Sequence, residues 1–315
     1  MILRSIALAA STAALLTAPA AAQRDFSSVE ITSEQVADGV HVLYGAGGNI
    51  GLSFGEDAVF LVDDQFAPLT EKIMAKIREI AGPGASVDFL VNTHWHGDHT
   101  GGNENFGQSG ALIVAHDNVR RRMARGSSGP REVAPAPDAA LPVLTFDMRQ
   151  SFHINGDTIR AVHVQNAHTD GDALIHFRNA NVLHMGDTFF AETAGTFPFI
   201  DRDSGGSIQG LIAAIDTGLG LANADTKIIP GHGRVTDRAD LAAYRDMLFT
   251  VMNAVQARID AGETRDAVLA ARPAAAYAEG RSGGFIDENT FVGFVYDSLT
   301  SPMAHSHADG TKHSH

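Results

Sequence analysis

Cysteine is absent from the 315 residues of this chain. The chain therefore forms no disulfide bond, and any metal that it binds must be held by nitrogen or oxygen ligands. Basic residues are also scarce, with 23 Lys and Arg against 37 Asp and Glu and a net charge of -14. That balance argues against nucleic acid and against an anionic membrane surface as partners, because both attract a basic protein surface.

Beyond the first 22 residues there is no apolar run long enough to span a bilayer. Residues 1–22 have the three parts of a secretory signal peptide: a basic start at Arg4, the apolar run "SIALAASTAALLTA" and small residues before Gln23. A buried N-terminal helix is the alternative. We expect the mature protein to be exported, and to be periplasmic in a Gram-negative organism.

The remaining chain alternates strand and helix patterns. Buried strands are predicted at 58–64, 87–93 and 111–116, and a helix is predicted at 68–82. A hairpin with its turn at Asn155 and Gly156 follows, then two more strands at 172–187, a helix capped by Ser207, a strand before "PGHG" and a long helix near 237–261. This order predicts an α/β fold, with two packed sheets and helices outside them, as one domain over residues 23–300. Residues 301–315 are predicted to be a disordered, His-rich tail.

The stretch "THWHGDHTGG" directly follows the predicted strand at 87–93. His94 and His96 are two residues apart, so they share one side of an extended segment. Gly97 allows a sharp turn that sends Asp98 and His99 in another direction. Four such side chains at the end of a buried strand would be costly without a metal, so the motif predicts half of a two-metal site.

Three later segments can complete that site. "NAHTDGD" places His168 at a strand end, "VLHMGD" places Asp187 at the next, and "IIPGHG" places His232 after another. Open α/β sheets form their sites at these carboxyl ends.

The order and spacing of "THWHGDHTGG", "AHTDGD", "MGD" and "PGHG" resemble those of the metallo-β-lactamase superfamily. The resemblance implies an αββα sandwich with a dinuclear metal centre at the sheet edges. It also implies a ligand set in which the first metal is bound by His94, His96 and His168, the second by Asp98, His99 and His232, and both by the bridging Asp187. Two zinc ions are the expected cofactors, and iron and manganese also accept such ligands.

Two departures from the best-known β-lactamase subclass matter. That subclass has a cysteine where this chain has Asp187, and a lysine that grips the substrate carboxylate where this chain has Phe190. Asp187 instead resembles the glyoxalase II, lactonase and ribonuclease Z branches. The signal peptide and the acidic charge favour the lactamase side.

The predicted chemistry is attack by a metal-bound hydroxide on a carbonyl centre. We predict that Asp98 orients this hydroxide as the catalytic residue, and that Asp63 or Asp64 accepts a hydrogen bond from a ligand histidine. A strand-end turn in solvent is the alternative for these two acids. Trp95, Phe189 and Phe190 are candidate walls of a substrate pocket, although both phenylalanines could equally be core residues.

The sequence therefore predicts an exported dizinc hydrolase of a small cyclic amide or ester, with β-lactam hydrolysis as the leading specific reaction. A lactonase or thioesterase, an iron-dependent redox enzyme of the same fold, and a periplasmic zinc-binding protein that uses the His-rich tail are the alternatives. Substrate, native metal and oligomeric state are not determined by the sequence.

Overall fold

The computed structural model describes residues 25–127, 132–281 and 283–301. The predicted signal peptide, and the predicted tail beyond residue 301, lie outside the described residues. None of the helices within these ranges has the length and apolar character needed to cross a membrane.

The first sheet has seven strands, which lie side by side in chain order. They are β1 (Thr32–Ala37), β2 (Val40–Tyr44), β3 (Ile50–Phe54), β4 (Val59–Val62), β5 (Phe89–Val91), β6 (Leu112–His116) and β7 (Leu144–Phe146). Neighbours from β1 to β4 pair antiparallel, and neighbours from β4 to β7 pair parallel. The short β7 was not predicted from the sequence.

The second sheet has five strands: β8 (Arg149–Ile154), β9 (Asp157–His163), β10 (Ala173–Phe177), β11 (Val182–His184) and β12 (Lys227–Ile229). They lie in the order β12-β11-β10-β9-β8. The pair β11 and β12 is parallel and the others are antiparallel. The turn between β8 and β9 falls at Asn155 and Gly156, as predicted, and both residues have positive φ.

Within the described ranges, eight α-helices connect and cover the strands. They are α1 (Thr70–Ala81), α2 (Gly97–Thr100), α3 (Asn103–Gln108), α4 (Asp117–Arg125), α5 (Ile208–Leu221), α6 (Arg238–Asp260), α7 (Arg265–Ala270) and α8 (Glu288–Thr300). Ser207 caps α5 by accepting a hydrogen bond from the amide of Gly210, and Asp237 caps α6 in the same way. The short α2 and α3 were not predicted, because neither has a long enough apolar period to be recognised.

Three apolar layers hold the elements together, and β4 shows how. All four of its residues are buried. Phe60 and Val62 face the second sheet, where Phe60 packs edge-on against Phe177 at 6.1 Å between ring centroids. Val59 and Leu61 point to the opposite face and pack under α1 and α3. A third layer lies between the second sheet and helices α5, α6 and α8. The predicted four-layer αββα sandwich is thus confirmed.

Candidate metal centre

Two groups of ligand-type side chains meet where β4, β5, β9, β11 and β12 end. In the first group, His94, His96, His168 and Asp187 each offer one atom, and these atoms all lie within 4.8 Å of one another. In the second group, Asp98, His99 and His232 do the same. The two adjacent groups could each hold a metal ion, and together they contain all seven residues that the sequence pattern singled out.

Asp187 lies between the two groups. Its Oδ2 is 3.8 Å from His94 Nε2 and 3.5 Å from His232 Nε2, and its Oδ1 is 3.0 Å from His99 Nε2. The side chain is 5% exposed. One carboxylate that faces imidazoles of both groups has the position that a bridging ligand requires.

Hydrogen bonds fix which ring nitrogen of His168, His99 and His96 faces the centre. His168 Nδ1 donates to the carbonyl of Phe199 at 2.8 Å, which leaves its Nε2 free to bind a metal. His99 Nδ1 donates to Asp63 Oδ2 at 2.8 Å, with the same consequence. His96 uses its ring nitrogens the other way round: its Nε2 lies 2.8 Å from Asp201 Oδ2, and its Nδ1 faces the centre. Outer hydrogen bonds of this kind are typical of metal-binding histidines.

Four buried atoms at the centre make no hydrogen bond of good geometry within the described residues, although imidazole and carboxylate atoms lie as close as 3.0 Å: the Nε2 atoms of His94, His99 and His232, and Oδ1 of Asp187. Leaving a buried polar atom unpaired costs about 1–3 kcal/mol. Since these four atoms belong to the two adjacent ligand groups, metal ions bound in both groups would remove the cost at each atom, and the residues fit the dinuclear centre that the fold implies.

The electrostatics of the centre also favour a cation. Burial opposes ionisation of Asp187, but His99, His232 and His94 outweigh it and hold the pKa of Asp187 well below its usual value. Burial likewise opposes protonation of His232, but Asp187 and Asp98 raise the pKa of this imidazole to about 9. The carboxylates thus stabilise positive charge at this point, whether a proton or a metal ion carries it.

Glycines allow the backbone to approach the ligands. A Cβ atom at Gly48 would collide with the ring of His99, and one at Gly231 would collide with the carboxylate of Asp187. Any side chain at either position would displace a ligand.

The structure separates the two acids that follow β4. Asp63 accepts hydrogen bonds from the backbone and hydroxyl of Thr93, both at 2.7 Å, besides the bond from His99. Asp64 instead accepts from the amide of Gly102 at 2.9 Å and contacts none of the ligand side chains. Its burial raises its pKa well above the usual value. Of the two acids only Asp63 contacts a ligand histidine; the chain leaves β4 with a φ of 62° at Asp63, and the two carboxylates reach different partners.

We expect Asp63→Asn to weaken metal binding by about 10- to 100-fold. The amide N–H₂ of the introduced asparagine is a donor and would face the donors of Thr93 or His99. The hydrogen bond that orients the His99 ring is then lost. Competition with a chromophoric chelator measures the affinity. Asp64→Asn is the matched control, since it replaces an equally buried neighbour that favours its neutral form. Equal affinities of Asp63→Asn and the unmodified protein would contradict the assignment.

Asp201 was missed by the sequence analysis. Its Oδ2 contacts His96 Nε2, and its backbone amide donates to the carbonyl of His168 at 3.0 Å. Both contacts position ligands of the first group. No signal in the sequence pointed to it, because Asp201 lies 105 residues after His96 in an irregular loop.

Of the three candidate pocket residues, one lines the cavity beside the centre and two do not. Trp95 lines a cavity beside the centre, and its Nε1 donates to Ser204 at 3.1 Å. Phe189 and Phe190 are 2% and 1% exposed and lie in the core under α6 rather than on the wall of that cavity. Phe189 packs on Tyr244, and Phe190 stacks beneath His232 at 5.1 Å. Their assignment to the pocket is corrected, because the chain after β11 turns these rings toward the helical layer.

Comparison with known proteins gives a consistent result. A model of the metallo-β-lactamase superfamily matches residues 43–248, nearly two thirds of the chain. Among solved structures, a metallo-β-lactamase from Pontibacter korlensis superposes with a TM-score of 0.59 and 17% identity, over 70% of this chain and 99% of that one. At this identity the likeness shows the fold.

Two curated relatives match by sequence. A hydroxyacylglutathione hydrolase of Nitrosococcus oceani is 30% identical over 52% of this chain and 55% of its own length. The alpha subunit of a 2,4-dinitroanisole O-demethylase of Nocardioides sp. is 27% identical over 43% of this chain and 39% of its own length. The chain thus spans about half or less of the relatives that it matches.

Proposed function

Because this chain belongs to the metallo-β-lactamase superfamily, we propose that it is a metal-dependent hydrolase that attacks the carbonyl centre of a cyclic amide or ester. β-Lactam ring opening is the specific reaction to test first. The observation that carries the proposal is the convergence of four buried ligand atoms that make no well-formed hydrogen bond, at a centre that opens into a cavity. Two zinc ions are the proposed cofactors.

The chain's own residues have distinct parts in this reaction. His94, His96 and His168 would hold one metal, and Asp98, His99 and His232 the other, with Asp187 between them. When bound, a pair of divalent metals supplies Lewis acidity and lowers the pKa of a water to about 7. Asp98 lines the cavity and its side chain is 31% exposed, so it can accept a hydrogen bond from that water and orient it toward the substrate.

A thioester is the second candidate substrate. The observation that favours it is the similarity to a hydroxyacylglutathione hydrolase, whose name describes hydrolysis of an acylated glutathione. A carbonyl carbon is the reacting atom in that case as well, so the same side chains would serve it.

The test combines a metal count with a substrate panel. Purified protein is analysed for zinc, iron and manganese, and the zinc-loaded form is assayed with nitrocefin, benzylpenicillin, dihydrocoumarin, phenyl acetate and S-lactoylglutathione. We expect two metals per chain, turnover of at least one substrate, loss of activity with a chelator and recovery on adding metal. Failure of the fully loaded protein to hydrolyse any of the five would refute the proposal. Native iron with oxygen consumption would identify a redox enzyme instead.

A further inference from the structure

A cavity of about 580 Å³ opens directly onto the proposed centre. Asp98 and Asp187 reach its surface, so the cavity and the centre form one site. The volume falls within the range of small-molecule sites, about 300–1,000 Å³. The chemistry of the cavity wall therefore decides what kind of group the substrate can carry beside its reacting carbonyl.

Aromatic rings form much of that wall. Phe199 stacks on His96 with ring centroids 5.7 Å apart and also packs on Phe294 at 5.5 Å. Trp95 also contacts His96, with ring centroids 5.5 Å apart. These rings are fixed by the ligand histidines that they touch, so they offer a rigid apolar surface next to the centre.

Phe285 lies at the mouth of the cavity and is 63% exposed. Its ring is 6.4 Å from both Phe199 and His232. A large apolar side chain held over a polar centre and left open to solvent is unfavourable by itself, and a ligand with an apolar surface would cover it. Phe285 thus extends the aromatic wall to the rim.

The charged residues on the wall disfavour an anionic substrate group. Asp201 and Asp203 both line the cavity. The two cations on the described part of the wall are already engaged: Arg122 forms a two-point ion pair with Asp170, at 2.7 and 2.8 Å. Arg202 donates to three backbone carbonyls, those of Gly206, Asp297 and Ser301. Away from the metal centre itself, a carboxylate on the non-reacting part of a substrate would therefore meet the negative charge of Asp203 and of the His96-bonded Asp201, and no available cation on this described surface.

We propose that the substrate is an uncharged ester or amide whose non-reacting part is an aromatic ring held against Trp95, Phe199 and Phe285. The inference rests on the proposed hydrolysis at the adjacent centre and narrows its substrate class. Among the candidate substrates, it ranks neutral aromatic esters and lactones above β-lactams, which carry a carboxylate, and above glutathione thioesters.

The first test compares phenyl acetate with 4-acetoxybenzenesulfonate, on zinc-loaded protein. The sulfonate remains charged, binds metals weakly and makes the phenol a better leaving group, so reactivity alone favours the charged ester. We expect kcat/KM to be at least about tenfold higher for the neutral ester. Equal or faster hydrolysis of the sulfonated ester would overturn the proposal.

The second test uses Phe285→Ala, a change at an exposed position. We expect kcat/KM for phenyl acetate to fall about three- to tenfold, through KM, and that for γ-butyrolactone, which has no aromatic ring, to fall less than about twofold. Phe249→Ala is the control, because Phe249 is also exposed (42%) and lies on α6, outside the cavity lining. Identical kinetics of the two variants would overturn the proposal.

Binding separates this inference from the hydrolase proposal. Trp95 is the only tryptophan of the chain, so its fluorescence reports on the cavity. Acetanilide and 4-acetamidobenzenesulfonate form a matched pair of slowly hydrolysed amides. If no substrate is hydrolysed, the proposed function fails. The inference is still upheld if acetanilide binds more tightly than 4-acetamidobenzenesulfonate and if its binding weakens in Phe285→Ala. Equal binding of the two amides, or tighter binding of the sulfonate, overturns it.

Discussion

Asp187→Asn is expected to lower kcat/KM by at least about a thousandfold and the metal content from two per chain to fewer than one. The reason is the position of the carboxylate between the two ligand groups. Its oxygens lie 3.0 Å from His99 Nε2 and 3.5 Å from His232 Nε2, so the carboxylate faces an imidazole of the second group from both oxygens while it belongs to the first. A neutral amide offers one weak oxygen ligand and loses the charge that offsets two cations. Metal ions stabilise the transition state by several kcal/mol, and losing this stabilisation slows the reaction by about a thousandfold or more.

Atomic emission and steady-state kinetics with the best substrate of the panel measure the two effects. Asp64→Asn is again the matched control, since Asp64 is as deeply buried but contacts none of the ligand side chains. Circular dichroism establishes that both variants are folded. An Asp187→Asn protein with two bound metals and more than a tenth of the original activity would show that this carboxylate does not bridge the metals.

Asp98→Asn is expected to lower kcat by about 10²- to 10⁴-fold, even at saturating metal. Burial opposes ionisation of Asp98, but His99 and His232 outweigh it and lower its pKa to about 2. The carboxylate is therefore ionised at neutral pH and can accept a hydrogen bond from water, with its Oδ2 3.3 Å from His232 Nε2. The amide places a donor there and cannot orient the water in the same way.

The metal titration distinguishes the two parts that we assign to Asp98. If Asp98 served only as a ligand, excess zinc would restore the activity of Asp98→Asn in full, and that outcome would refute its catalytic assignment. Asp98→Glu keeps the carboxylate and tests whether its position matters. We expect Asp98→Glu to retain more activity than Asp98→Asn at the same metal content.

The sequence by itself determined the fold class and where the candidate ligands lie along the chain. Both follow from local patterns. Apolar runs such as that of β4 predict buried strands, and ligand-type residues directly after β5, β9, β11 and β12 predict a site where these strands end. The carboxyl ends of β9, β11 and β12 lie at one edge of the second sheet, so strand direction and residue type bring His168, Asp187 and His232 together, and the packing of the two sheets adds His94 from the end of β5.

Only the tertiary structure decided the surroundings of that site. The choice of Asp63 over Asp64 depends on which side of the β4 end each side chain faces. The contact of Asp201 with His96 joins residues 105 positions apart. Phe190 is buried and stacks on His232, whereas Phe285, 95 residues later, is exposed and lies 6.4 Å from the same ring. The packing of the two sheets and their helices determines these contacts. No local pattern of the sequence predicts them, because side chains from distant segments compete for the same space.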